Sequence, residues 1–300
     1  MQRRHLLQAL ASTGMSLGGG QLWAVGAAQP CFLMVFLRGG YDAANLLVPL
    51  SSSFYYEARP TIAVARPGTQ ETSALELNAD WGLHPALRDS LYPLWLKGEL
   101  AFIPFAGSRD TSRSHFETQD GIELGQPLDG TRNYRSGLMN RLAATLQGVD
   151  AMAFTERLPL ALQGEVQVSN TVLRALSRPA VDARQSQIIS SMYRGTELAA
   201  AVNQGFSARD EVMREMAAEM EAASRNAITA RGFELEARRI ARLMKGRHRL
   251  GFVDVGGWDT HVGQGGATGV LASRLEELGR GLATFAQEMG SRWRDTTVVV

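Results

Sequence analysis

One unbroken apolar run near the amino terminus restricts the possible folds more than any other feature. Residues Cys31–Leu37 are all apolar, and the run stops at Arg38-Gly39-Gly40. Because no polar residue alternates with the apolar ones, the pattern predicts a strand that is buried on both faces, as in a parallel sheet. A sheet of this kind needs helices on each side, so the run predicts an α/β fold.

Three further apolar runs extend this pattern, and each follows a stretch with helical spacing. They are Leu100–Ala106, Leu250–Val255 and Thr296–Val300. Apolar strands that alternate with helices are typical of a three-layer α/β/α sandwich. We expect Phe32–Leu37, Ala101–Phe105 and Gly251–Val255 to be neighbouring strands of one sheet, with helices on both faces.

The region between the second and third runs is different. Residues 182–247 have an almost continuous helical pattern, which predicts a helical insertion or cap within a single domain of residues 29–300. Within it, Ser207 and Asp210 have the spacing of a capping box and predict a helix that begins at Ala208. The sequence ends at Val298-Val299-Val300, inside a predicted buried strand, and we therefore expect a C-terminal portion to be missing.

The first 28 residues have the features of an export signal. Arg3-Arg4 followed by leucines resembles a twin-arginine signal, and Gly26-Ala27-Ala28 offers small residues for a signal peptidase. Gly18-Gly19-Gly20 interrupts the apolar stretch, which argues against a stable membrane span. We expect residues 1–28 to direct the folded chain through the twin-arginine translocase to the periplasm. The alternative is a cytoplasmic amphipathic N-terminus.

Charge and cysteine content exclude several classes of protein. Lys and Arg number 31 against 30 Asp and Glu, so no basic surface is predicted and nucleic acid is not an expected partner. Cys31 is the one cysteine, which excludes an intramolecular disulfide. We expect it to be a buried strand residue. Lipid attachment is the alternative, although Ala28-Gln29-Pro30 does not fit a lipoprotein cleavage site.

Polar residues cluster in three loops that follow predicted strands. Asp42 follows the first strand, His115 lies in the loop after the second, and Asp259 and His261 follow the third. Ligands of open α/β sheets gather where the carboxyl ends of the strands meet such loops. Carboxylate and imidazole side chains are ligands of Zn²⁺ and similar ions, so the four residues predict a divalent metal site for Zn, Ca, Mg or Mn. The alternatives are a helix cap for Asp42 and a simple Asp259–His261 pair.

The second loop also carries hydroxyl and guanidinium groups. Ser112 or Ser114 fits a nucleophile, and Arg113 or Arg109 fits an anion clamp, because Arg contacts phosphate or sulfate oxygens in a bidentate way. Helix capping is the alternative role for both serines. His84 precedes a predicted helix, and for it we expect a structural hydrogen-bonding role.

Together these motifs resemble a known family. The motifs are Arg3-Arg4, Phe36–Asp42, Gly82–Leu87, Ser112–Phe116 and Gly257–His261. The chain is similar to the exported family "domain of unknown function 1501" (DUF1501), which is placed among the alkaline-phosphatase-like and sulfatase-like folds. The resemblance implies one or two divalent metals at strand ends, with Asp42 as the ligand after the first strand and Asp259 and His261 as a later pair. It also implies a nucleophile at Ser112 or Ser114.

These observations lead to one functional expectation and one rival. The first is a periplasmic, metal-dependent hydrolase that acts on small anionic phosphate or sulfate esters. The rival is an exported binding or interaction protein that keeps the fold without the chemistry. The family's C-terminal Asp-His-Gly segment is absent from this sequence, which favours the rival.

Overall fold

The structure is a computed structural model. It describes residues 30–111, 114–126, 130–146, 148–173, 183–215, 232–260 and 262–300. The predicted export signal, residues 1–28, lies outside the described residues. Residues 31–300 form one compact unit.

Short strands and helices alternate along the described residues. The strands are β1 (Cys31–Leu37), β2 (Leu47–Pro49), β3 (Leu75–Glu76), β4 (Trp81–Leu83), β5 (Ala151–Ala153), β6 (Ser169–Asn170), β7 (Leu250–Val255) and β8 (Thr296–Val299). The α-helices are α1 (Ala43–Leu46), α2 (Ser53–Ala58), α3 (Tyr92–Leu96), α4 (His115–Leu124), α5 (Leu138–Thr145), α6 (Ala183–Met192), α7 (Ala199–Glu215), α8 (Gly232–Gly246) and α9 (Val270–Met289). Short 3₁₀ segments occupy Pro85–Leu87, Leu160–Leu162 and Gly290–Asp295.

The central sheet has five strands in the order β6-β5-β7-β1-β8, and every pairing in it is parallel. The predicted contact between the first and third apolar runs is confirmed, because Phe32 lies opposite Leu250 and Leu37 lies opposite Val255. The last apolar run also forms a strand, β8, on the other side of β1.

The two faces of the sheet pack against separate apolar clusters, as expected for a strand without alternation. Cys31, Leu33 and Val35 of β1 belong to a cluster that includes buried residues of α8 and α9. Phe32, Met34 and Phe36 belong to another, which includes Met139 and Ala143 of α5. Cys31 is 2% exposed, which confirms that it is a buried strand residue.

The prediction of a strand at Ala101–Phe105 is wrong. This segment has no regular structure, and Ile103 and Phe105 are 82% and 94% exposed. Pro104 has no N–H for a strand ladder, and Phe105 has a φ of 59°, outside the β region. The two neighbours of β1 in the sheet are β7 and β8.

Helices α6, α7 and α8 lie in the region predicted to be helical. The predicted helix start at Ala208 is wrong, because α7 begins at Ala199 and contains Ser207 in its interior. Three alanines, 199–201, open this helix, and their high helical propensity starts it before the capping-box residues are reached.

A small antiparallel sheet, β2-β4-β3, follows β1 in the chain. Beside it, Tyr55 donates a hydrogen bond to Asn45 Oδ1 at 2.7 Å, and Asn45 Nδ2 donates to the Ile62 carbonyl at 2.8 Å. The Tyr55 and Asn45 side chains are buried, so these bonds fix the segment that begins at Asp42.

Candidate functional site

The loops after β1 and β7 lie against each other at the carboxyl end of the sheet. The Arg38 N–H donates to the Val255 carbonyl at 2.8 Å, which extends the strand pairing by one residue. Gly39 has a φ of 120°, and a Cβ at this position would lie 2.8 Å from the Asp259 nitrogen. Glycine is therefore required here for conformation and for space. Trp258 is buried, and its ring meets the Tyr41 ring edge-on at 5.7 Å.

The structure brings together two of the predicted metal ligands, His115 and Asp259. His115 is the first residue of α4, and its Nε2 lies 3.7 Å from Asp259 Oδ2. Both side chains are partly exposed, at 26% and 34%. Two ligand atoms on one Zn²⁺ ion lie roughly 3–3.5 Å apart, given bonds of about 2.0–2.2 Å. The separation is thus close to what a shared cation requires, with a small adjustment of either side chain.

Asp42 has other contacts. Its Oδ2 accepts hydrogen bonds from Arg59 Nη1, in a close ion pair, and from Gln264 Nε2 at 2.7 Å. Asp42 occupies the N-cap position of α1, but its side chain accepts no capping hydrogen bond, so the alternative role as a side-chain cap is not observed. Its carboxylate joins Arg59 to the loop that contains Gln264.

Of the four predicted metal ligands, His115 and Asp259 are therefore the two that lie close to each other. Among the described residues, no group of three or more His, Cys, Asp or Glu side chains is placed to hold a metal ion. His261, the remaining predicted ligand, lies outside the described residues, as do Ser112 and Arg113. The carboxylate of Asp42 forms an ion pair with Arg59.

Ser114 is the described serine of the predicted nucleophile pair. It is the N-cap of α4, and its Oγ accepts a hydrogen bond from the Glu117 N–H at 3.5 Å. The capping role is thus observed for this residue. The same position places Ser114 next to His115 at the amino-terminal end of the helix, where main-chain N–H groups favour negative charge.

An ion network that the sequence did not reveal holds the other end of α4. Arg38 Nη1 lies 2.5 Å from Glu123 Oε1, and Arg38 Nε lies 3.1 Å from Asp254 Oδ2. Glu123 is 3% exposed, and its Oε2 also accepts from the Ala161 N–H at 3.1 Å. In the sequence, Glu123 looks like an ordinary acidic residue of a surface helix, and no local signal distinguishes it.

The pKa of Arg38 reflects this network. Partial burial lowers the pKa, but the hydrogen bonds to Glu123 and Asp254 and their negative charges outweigh burial and raise it above the ordinary value. Arg38 therefore stays charged and links β1, β7 and α4.

A crevice of about 550 Å³ opens beside this network, at the carboxyl ends of β1, β5 and β7. Ligand sites of α/β sheets commonly occupy this edge, and the volume is sufficient for a small molecule. Its charged lining consists of Arg38, Asp120, Glu123, Glu156, Arg157, Glu236 and Asp254. Acidic side chains outnumber basic ones there, so an anionic group is better placed outside the crevice.

The structural role expected for His84 is confirmed. Its Nε2 lies 3.0 Å from the Gly266 carbonyl, and its Nδ1 accepts from the Ala86 N–H at 3.1 Å. This pattern requires the neutral tautomer with a proton on Nε2. Burial lowers the pKa of His84, and the bond to Gly266 opposes the shift in part.

The fold and the site define a structural class, and the sequence comparison then gives the family. The chain is a mixed α/β protein with a parallel central sheet, and His115 and Asp259 meet at the carboxyl end of that sheet. The family model "Protein of unknown function (DUF1501)" matches residues 30–300, and the chain belongs to this family. No curated protein and no solved structure matches it. Within the part of the chain that the structure describes, no helix is long and apolar enough to cross a membrane.

Proposed function

We propose that this protein is a metal-dependent hydrolase of phosphate or sulfate esters, with His115 and Asp259 as two ligands of a divalent cation. The observation that carries the proposal is the 3.7 Å separation of His115 Nε2 and Asp259 Oδ2 at the carboxyl end of the sheet. His261 is two residues beyond Asp259 in the sequence and is the proposed third ligand.

Each neighbouring group has a proposed part in the reaction. A bound divalent cation would polarise the ester and lower the pKa of a hydroxyl nucleophile. Ser112 or Ser114 would supply that hydroxyl, next to the amino-terminal end of α4. Arg109 or Arg113 would hold the anionic oxygens, because a guanidinium offers paired donors. Arg109 is exposed, so it is accessible to a ligand.

We also propose an alkaline-phosphatase-like fold for the domain. The parallel sheet, the apolar clusters on both of its faces and the polar loops at its carboxyl end support this assignment. Asp42 departs from the implied pattern, because its carboxylate pairs with Arg59.

Cation binding and hydrolysis test the proposal directly. The purified mature protein is titrated with Zn²⁺, Mn²⁺, Mg²⁺ and Ca²⁺ by calorimetry and assayed with nitrophenyl phosphate and nitrophenyl sulfate. We expect Asp259→Asn and His115→Ala to reduce cation affinity by about 10–100-fold and to remove hydrolysis. Asp89→Asn, which changes an exposed aspartate, is the matched control. Equal cation affinity in all variants would contradict the proposal.

The second candidate is an exported protein that binds anions without hydrolysis. The pairing of Asp42 with Arg59 favours it, because this pairing withdraws one implied ligand from the site. Binding of nitrophenyl phosphate or nitrophenyl sulfate by the wild-type protein, without turnover in the presence of any of the four cations, would identify this candidate.

Export to the periplasm is part of the proposal, on the evidence of Arg3-Arg4 and the small residues up to Ala28. We expect a variant with Lys at both arginine positions to accumulate in the cytoplasm, because the translocase recognises the paired guanidinium groups. Fractionation of cells that express each form checks this. Normal periplasmic levels of the variant would refute the export route.

A further inference from the structure

Large apolar side chains are exposed next to the His115–Asp259 pair. Phe116 follows His115 on α4, and the two ring centroids are 4.1 Å apart. Phe116 is 72% exposed, and Val262, in the loop after Asp259, is 85% exposed. Exposed apolar groups beside a polar site are typical of ligand-binding surfaces, because a ligand that covers them removes apolar area from water.

The segment before α4 contains one residue with a strained backbone. Phe105 is 94% exposed and has a φ of 59°, a conformation that costs a non-glycine residue about 1–2 kcal/mol. Its ring meets the Trp81 ring edge-on at 5.7 Å, a contact that helps to hold it in place. Strained residues of this kind persist mainly at functional sites.

We propose that the ester bound at this site carries an apolar alcohol group, and that Phe116 is the residue that selects it. The inference rests on the proposed function. Since the Phe116 ring touches the imidazole, a ligand whose phosphate or sulfate reaches His115 can place its next atoms against Phe116. An apolar chain gains from this contact, whereas a short or polar alcohol does not.

The reaction consumes one water for each ester. The serine oxygen bonds to phosphorus or sulfur, the bond from that atom to the alcohol oxygen breaks, and the alcohol leaves with the proton of the serine hydroxyl. The oxygen of water then bonds to the same atom and displaces the serine oxygen, which takes back one proton of that water. The apolar group is therefore released unchanged as the free alcohol. Its chain length affects binding and not the chemistry of the bond that breaks.

The test compares octyl with methyl esters, as phosphates and as sulfates, for the wild-type protein, Phe116→Ser and Phe54→Ser. Phe54 lies on α2, is 75% exposed and provides a matched control. We expect Phe116→Ser to raise KM for the octyl ester about tenfold with kcat unchanged, and to change KM for the methyl ester less than about twofold. Phe54→Ser should behave like the wild type.

Calorimetric binding of octyl and methyl phosphate and sulfate separates this inference from the proposed function. Tight, Phe116-dependent binding of either octyl ester without hydrolysis would refute the hydrolase and leave the inference intact. Equal binding of the octyl and methyl forms of both esters would overturn the inference, even if both esters were hydrolysed. Equal losses in Phe116→Ser and Phe54→Ser would also overturn it. Phe116-dependent sedimentation with phosphatidylcholine vesicles, without discrimination between soluble esters, would assign Phe116 to a lipid surface instead.

Discussion

Replacing Glu123 with Ala tests whether the Arg38 network holds α4, and with it His115, against the sheet. The change leaves the buried Ala161 N–H without its acceptor, which costs about 1–3 kcal/mol. It also removes one of two acidic partners of Arg38. Leaving a buried charge without any partner costs about 3–5 kcal/mol. Here Asp254 still pairs with Arg38, and Arg38 is 29% exposed, so we take about one third of that value. The expected loss in the free energy of unfolding is about 3 kcal/mol.

Thermal unfolding at pH 7 measures this loss. A change of 1 kcal/mol shifts the Tm of a domain of this size by about 2–4 °C, so Glu123→Ala should unfold roughly 6–12 °C below the wild type. Glu117→Ala is the control on the same helix. Glu117 is 59% exposed and pairs with Arg132, so its loss should cost less than about 1 kcal/mol. Similar Tm values for the two variants would refute the argument that Glu123 anchors α4.

Three further predictions concern stability. Because burial lowers the pKa of His84 in the folded protein, the unfolded chain binds the proton more readily, and stability should fall as the pH drops below about 6.5. The variant His84→Gln should therefore show a smaller difference in Tm between pH 7.5 and 5.5 than the wild type. Asp42→Asn should lower the free energy of unfolding by about 1–2 kcal/mol in urea while leaving cation affinity unchanged, and a loss of cation affinity would return Asp42 to the metal site. Gly137→Ala should prevent stable folding, because the new Cβ would lie 2.0 Å from a main-chain oxygen. Gly205→Ala, with open space inside α7, should raise the free energy of unfolding by about 0.5–1 kcal/mol. Circular dichroism melts that rank the two variants the other way would refute the packing argument.

The sequence predicted those parts of the fold where a single physical effect dominates. The runs at Cys31–Leu37 and Leu250–Val255 are apolar enough for their composition to predict strands of a sheet that is covered on both faces, and the structure pairs them in parallel. Ala101–Phe105 has the same composition but is not a strand, because Pro104 and the left-handed Phe105 depend on contacts that hydrophobicity does not encode. The strands of the small sheet and β5 have only two or three residues, too few for a periodic signal.

The site also has a part that the sequence predicted and a part that it did not. Asp259 follows β7 at the carboxyl edge of the sheet, as the order of strands and loops predicts. His115 follows no strand, because Ala101–Phe105 is not one, so its approach to Asp259 is a tertiary contact that the predicted strand order does not explain. The partners of Asp42 and Glu123 are tertiary pairings, Arg59 with the first and Arg38 with the second, and local sequence does not specify them. Ser114 fits the predicted nucleophile and the predicted cap equally, and the observed capping bond does not require another role.

The position of β1 in the sheet has a consequence for how the chain is made. β1 is complete at Leu37, but its two neighbours begin at Leu250 and Thr296. At a synthesis rate of about 5–20 residues per second, the strand waits on the order of 10–40 s before either partner leaves the ribosome. During this time the apolar strand β1 has no neighbouring strand with which to form hydrogen bonds. The loop between β1 and its partners is also long, and closing a long loop is slow. We therefore expect the central sheet to form only after residue 250 has been synthesised, with a nascent chain that depends on chaperones to shield residues 31–37 from aggregation.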